Sequence, residues 1–173
     1  MREMEIYGVS FDLVGKQPIV LLKTADDSKF LPIWIGHSEA AAILVKLQNA
    51  STARPMTHDL FAELLGHLEA EVVSVTVTEL RENTFYARIT IQQNGSEIEL
   101  DSRPSDAIAL AVRSGAKIYA ADEVIEESGI EFEGEGNESE EVAGVTPLSD
   151  LDPAEFRRFL DSVSPDEFGG GSD

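Results

Sequence analysis

The stretch ELDSRPSDAIALAVRSG, residues 99–115, changes its hydrophobic pattern in the middle. Its first residues read as the end of a strand. From Pro104 onward the residues are apolar and alanine-rich nearly all round, the mark of a helix packed on several sides. Proline suits the first helical position, where its missing N–H costs nothing. The junction is more heavily charged than a helix start requires. Asp101, Arg103 and Asp106 crowd a chain reversal where one capping side chain would satisfy the free N–H groups.

Working outward, this strand and helix end a longer unit. VVSVTVTEL puts Val73, Val75 and Val77 on one face, and TFYARITIQ does the same with Phe85, Ala87, Ile89 and Ile91. Asn94-Gly95 then predicts a tight hairpin, because both of its positions need positive φ, and EIEL follows. The same order occurs earlier in the chain. MEIYGVSFDLV, KQPIVLLK and KFLPIWI read as strands, and SEAAAILVKLQ loses the two-residue period and reads as a buried helix. The pattern predicts an α+β fold of two βββα-like units, with an antiparallel or mixed sheet and buried helices. Between the units lies THDLFAELLGHLEA, an amphipathic helix whose stripe of Leu60, Phe61, Leu64, Leu65 and Leu68 is expected to cover a sheet face.

The domain so defined runs from 1 to 133. An acidic, glycine-spaced linker is expected over 134–150, and a short helix with a disordered end over 151–173. That last helix is signalled by Asp152, Pro153 and Glu155 in LDPAEFRRFLDSV. Its one apolar stripe, Phe156, Phe159, Leu160 and Val163, is expected to dock on its own domain, a neighbouring subunit or another protein. The chain has no cysteine, which excludes disulfides and thiolate metal sites. Neither a signal peptide nor a membrane span is evident, so a soluble cytoplasmic protein with no membrane partner is expected.

The net charge of −20 opposes binding to nucleic acid, but it is unevenly placed. Residues 1–121 hold 11 lysines and arginines against 16 acids, a charge of −5; residues 122–173 hold 2 against 17, a charge of −15.

Candidate chemistry gathers at the helix starts. Gly36-His37-Ser38-Glu39-Ala40 imitates a hydrolase nucleophile elbow, but that fold needs a parallel sheet and a longer chain, and the only downstream histidines, His58 and His67, both fall on the next helix, so Ser38 reads as a helix-start residue. His37, His58 and His67 have no chelating spacing. Asp101 and Asp106 remain as ligands for a hard divalent ion, magnesium or manganese. Arg54-Pro55-Met56-Thr57-His58-Asp59 and Arg103-Pro104-Ser105-Asp106 each combine Arg-Pro, a hydroxyl and an aspartate before a helix. Capping explains the hydroxyls and aspartates. It does not explain the arginines, since a cation at a helix N-terminus is unfavourable unless an anion lies beside it. Arg54, Arg103, Thr57 and Ser105 are therefore candidate phosphate ligands, and Arg103, Asp106, His58 and Asp59 candidate catalytic residues.

The stretches LPIWIGHSEA, RPMTHDL, NTFYARI and DSRPSDAIALAVRSGAKIY together resemble the bifunctional nuclease domain family over about residues 1–133. The ending FRRFLDSVSPDEF is similar to actinobacterial members. The resemblance implies hydrolysis of DNA and RNA, an α+β domain and self-association, with a dimer favoured. It implies no catalytic set, so the site assignments above rest on the residues themselves. The alternative is a non-catalytic, homo-oligomeric regulatory or partner-binding module in which the same residues cap helices and pair charges.

The charge distribution generates a first prediction. If the acidic run competes with nucleic acid for the arginines, replacing the glutamates between Glu126 and Glu141 by glutamine tightens DNA or RNA binding, most at low salt. A salt titration of parent and variant checks this, and identical affinity at every ionic strength reduces the run to a solvated linker.

Overall fold

Seven short runs of alternating hydrophobicity pair into one sheet, seen in a computed structural model that describes residues 1–12, 17–26 and 29–131. The expected linker at 134–150 and helix at 151–173 lie outside the described residues. In chain order the elements are β1 (Arg2–Asp12), β2 (Gln17–Thr24), β3 (Phe30–Trp34), α1 (His37–Leu47), α2 (Thr57–His67), β4 (Ala70–Arg81), β5 (Thr84–Gln93), β6 (Ser96–Ser102), α3 (Pro104–Ser114), β7 (Lys117–Ala120) and α4 (Asp122–Ser128). The sheet order is β3-β2-β1-β7-β4-β5-β6. Each predicted three-strand run is an antiparallel meander. The four-residue β7 joins them, antiparallel to β1 and parallel to β4, so the two units share one mixed sheet. The predicted α+β class and the two βββα-like units stand.

Asn94 and Gly95 adopt φ of 50° and 78°, as their turn requires, and Glu82 and Asn83 do the same at 49° and 58° without a glycine to announce it. On β5, Ala87, Ile89 and Ile91 are buried as expected. On β4 the expected face is broken. An irregularity between Val72 and Ser74 shifts the register, so Val72 takes the core position and Val73 is exposed, while Val75 and Val77 remain buried.

The helices show the sharper departure. α1 and α3 are buried as predicted, α1 through Ala40–Val45 and α3 through Pro104, Ser105 and Ala107–Ala111. They pack on one another, and α3 also packs on β4, β5 and β7. α2 does not cover a sheet face with its leucine stripe and buries no residue fully. Leu60, Phe61, Leu64 and Leu68 are 40–61% exposed. Only Ala62 and Leu65, with Met56 before the helix, pack against the core. The physical reason is that α2 leans on α3 and β4 by one flank and is held there by polar side chains at its first turn, which turns the stripe outward. α4 closes the described chain, burying Val124 and Ile125, after which Ile130 bridges to Phe30 beside β3. Among the described residues no helix is long and apolar enough to cross a membrane.

α3 ends at Gly115, whose φ of 74° lets its N–H reach Ala111 O at 2.8 Å and sends the chain directly into β7. An added Cβ there meets nothing within 4 Å, so only backbone strain opposes it. Gly115→Ala is therefore expected to lower stability by about 1 kcal/mol, read from urea midpoints. An unchanged midpoint contradicts the left-handed cap.

Candidate active site

Pro104 opens α3 and leaves Arg103 extended just before it, at φ −71° and ψ 145°. This places Arg103 and Asp106, three residues apart, on the same side of the first turn. Asp106 does not cap its helix. Its Oδ1 lies 3.0 Å from His58 Nε2 on α2, and Arg103 grips it with Nε on Oδ2 at 2.7 Å and Nη2 on Oδ1 at 3.0 Å. Arg103 Nη2 also donates to Glu39 Oε1 of α1 at 2.9 Å. One short cluster thus ties three helices: Glu39, Arg103, Asp106 and His58. Burial pushes the Asp106 carboxyl up, but hydrogen bonds from Arg103 and His58 and their charges outweigh it and hold the group below the ordinary aspartate value. The hydrogen bond to Asp106 makes Arg103 hold its proton more firmly still. His58 is 16% exposed and Arg103 66%, so the imidazole is held in place while the guanidinium faces solvent.

Asp59, one residue after His58, turns another way. Its Oδ2 accepts the Met56 N–H at 2.8 Å, capping α2, and its Oδ1 accepts Arg113 Nε at 2.6 Å. Arg113, with a side chain only 3% exposed, also donates to Ala109 O and Ala42 O at 2.8 and 3.1 Å. Burial raises the Asp59 pKa, and the Met56 N–H and Arg113 overcome that and leave it lowered. The capping explanation thus holds at Asp59 and fails at Asp106.

Two clefts flank the cluster. One, of about 260 Å³, is lined by Thr57, His58, Phe61, Leu100, Asp101 and Asp106. The other, of about 340 Å³, includes Trp34, Gly36, Asn83, Phe85, Arg103 and Ser105. Of the residues expected from sequence, His58, Arg103 and Asp106 are in direct contact. Thr57 and Asp101 share the first cleft with His58 and Asp106, and the buried Ser105 lies on the second with Arg103. Arg54 is exposed in the loop before α2 and lines neither cleft. Glu39 and Arg113 were not singled out from the sequence. Glu39 lay inside the segment resembling a nucleophile elbow; Arg113 follows Asp106 by seven residues, two helical turns along the same face, which is the spacing that could have revealed it.

Among the described residues no group of three His, Cys, Asp or Glu side chains is placed to hold a metal ion. Both Asp106 oxygens already accept hydrogen bonds, so a cation on that carboxylate competes with Arg103. What the cluster offers directly is an imidazole oriented by a carboxylate, beside an exposed guanidinium suited to an oxyanion.

Comparison with known proteins places these residues among relatives. The family model described as Bifunctional nuclease domain matches residues 20–133. An uncharacterized protein of Mycobacterium tuberculosis is 38% identical over 168 residues, spanning 97% of this chain and 98% of its own. Bifunctional nuclease 1 of Oryza sativa subsp. indica is 32% identical over 98 residues, 54% of this chain but 30% of the rice protein. Bifunctional nuclease 1 of Arabidopsis thaliana is 31% identical over 100 residues, 56% of this chain and 31% of the plant protein.

The lowered carboxyls of Asp59 and Asp106 give acid stability a definite sign. Between their folded values and the ordinary value near 4, the folded chain binds fewer protons than the unfolded one, so their contribution is full above that window and is lost as pH falls through it. Asp59→Asn is expected to be less stable at pH 7 and to lose less stability between roughly pH 5 and pH 2 than the parent. Arg113→Ala, which strips Asp59 of its cation and two carbonyls of their donor, is expected to cost on the order of 2 kcal/mol. Denaturation at stepped pH measures both, and parallel acid limbs for parent and Asp59→Asn contradict the assignment.

Proposed function

This chain belongs to the bifunctional nuclease domain family, and on that premise we propose that it hydrolyses phosphodiester bonds of DNA and RNA at the His58–Asp106–Arg103 cluster. The observation that carries the reading is the 3.0 Å contact between His58 Nε2 and Asp106 at a cleft wall, with Arg103 on the same carboxylate. In this reading His58 donates Nε2–H to Asp106, which leaves the Nδ1 lone pair to take a proton from water. The water oxygen bonds to phosphorus, the bond to the leaving nucleoside oxygen breaks, and that oxygen takes up a proton. Asp106 holds the imidazole and offsets the charge it gains. Arg103, whose Nε and Nη2 are engaged by Asp106 and Glu39, binds a phosphate oxygen through Nη1, and Thr57 and Ser105, which line the two flanking clefts, serve in this reading as further phosphate ligands. Arg54, exposed ahead of α2, meets the backbone farther along the strand.

Asp101 and Asp106 are the residues that would hold magnesium or manganese, Asp106 by giving up contacts with Arg103, and the ion would supply a water of lowered pKa and neutralise developing charge.

A second reading, a non-catalytic homo-oligomeric module, draws on the exposed stripe of Leu60, Phe61, Leu64 and Leu68. The stripe also serves the first reading. With Ile98 and Leu100 of β6, also exposed, it suits a second copy of the chain, and Phe61 and Leu100 line the His58 cleft, so a dimer would wall the site.

The test is cleavage of a defined oligonucleotide by highly purified protein. His58→Ala and Asp106→Asn are each expected to lose about 10²- to 10⁴-fold in rate after correction for the folded fraction, since each also loosens the contact of α2 with α3. Asp59→Asn, corrected for folded fraction, keeps its rate. Chelator silences the parent, and magnesium or manganese restores it. Cleavage by both site variants at the parental rate removes the cluster from the chemistry, and full activity in chelator removes the metal role of Asp101 and Asp106.

A further inference from the structure

The larger cleft meets the hydrolytic site at Arg103 and Ser105, and the rest of its lining takes no part in the proposed hydrolysis. Trp34, at the end of β3, is 51% exposed and forms part of the wall. Phe85, partly buried at the start of β5, lies on the same cleft. Gln17, Asn83 and Thr84 add amide and hydroxyl groups. The charge on this wall is the guanidinium of Arg103, 66% exposed, whose other contacts lead directly to Asp106 and from there to His58. An aromatic ring, amide and hydroxyl groups and a guanidinium therefore line one cleft, and the guanidinium belongs to the proposed hydrolytic cluster.

We propose that this cleft binds a nucleobase of single-stranded nucleic acid, stacked on Trp34, in the nucleotide adjoining the phosphate held by Arg103. The proposal rests on the nuclease reading for the identity of the strand and adds to it the position of a base. Stacking on an aromatic ring is sequence-tolerant because every base has a π-face, so such a subsite anchors a strand without selecting its sequence. A volume of about 340 Å³ lies at the lower end of small-molecule sites, fit for one base. Duplex, whose bases are stacked on one another, cannot offer a free face without being opened. The site therefore favours single strands, and where Asn83 and Gln17 meet a base edge they add only modest preference.

Trp34 is the single tryptophan of the chain, so its emission reports this cleft alone. The full-length protein is mixed with a short oligothymidylate at low salt, and emission is read before turnover. Saturable quenching is expected with the oligothymidylate and not with an abasic oligonucleotide of equal length or with inorganic phosphate. Trp34→Ala is expected to weaken binding of the single strand roughly tenfold to a hundredfold, and Trp34→Phe restores most of the affinity. Equal quenching by the abasic strand, or an unchanged affinity in a folded Trp34→Ala protein, overturns the base site. The two readings fail separately. Quenching by oligothymidylate without cleavage leaves the base site standing and removes the hydrolase; cleavage with an unchanged Michaelis constant in Trp34→Ala does the reverse.

Discussion

The Asp106 carboxylate is the point on which the helical layer turns. Its oxygens receive Arg103 from just before its own helix and His58 from α2, and Arg103 passes the connection on to Glu39 of α1. At the other end of α3, Arg113 repeats the device with Asp59 and the Ala42 carbonyl. α3 itself is alanine-rich and buried, so it sits close to the sheet and brings its neighbours close to it. Polar groups at both ends then fix where α1 and α2 stand. A partly buried carboxylate surrounded in this way is costly to leave unpaired, which makes the cluster demanding in geometry. The same demand holds an imidazole in one orientation at a cleft wall.

Legibility in the sequence followed the range of the forces. Local periodicity over Phe85, Ala87, Ile89 and Ile91, and the Asn94-Gly95 turn, predicted strands and a hairpin that the fold contains. The buried character of α1 and α3 was likewise evident in their composition. Sheet order was not, because β7 is only four residues long and its pairing with β1 and β4 is non-local. The outward turn of α2 was also hidden. Its leucine stripe is a strong amphipathic signal, and nothing local says that polar contacts from His58 and Asp59 will hold the opposite flank. Val73 was misplaced for a related reason, since a single irregularity reverses the phase of a strand. At the site, the crowding of charge around Arg103 marked a segment whose side chains meet His58 and Glu39 in the fold. The separation of roles between the adjacent His58 and Asp59 depends on which of Asp106 and Arg113 each meets, and only the packing of α2 on α3 decides that.

The exposed apolar face and the cluster are neighbours rather than rivals. Phe61 belongs to the stripe and also to the His58 cleft, as does Leu100 of β6. Anything that covers the stripe therefore changes the dielectric around the imidazole and its carboxylate, strengthening their interaction. Arg103, by contrast, stays in solvent and faces the Trp34 cleft. On the proposed reading, this arrangement would set a mainly apolar cleft for proton transfer beside a more polar one for phosphate and base.

A structural contact and a catalytic pair make different demands on His58 and Asp106, and a double-mutant cycle separates them. Single-turnover cleavage rates are measured for the parent, His58→Ala, Asp106→Asn and the double variant, each at a temperature where all are folded. If the two residues act as one unit, the double variant is no slower than the slower single variant, because the second substitution removes nothing that still functions. Losses that multiply would show that the two residues act independently rather than as a pair, and single variants that cleave at the parental rate would show that the contact only fastens α2 to α3; either result contradicts the account.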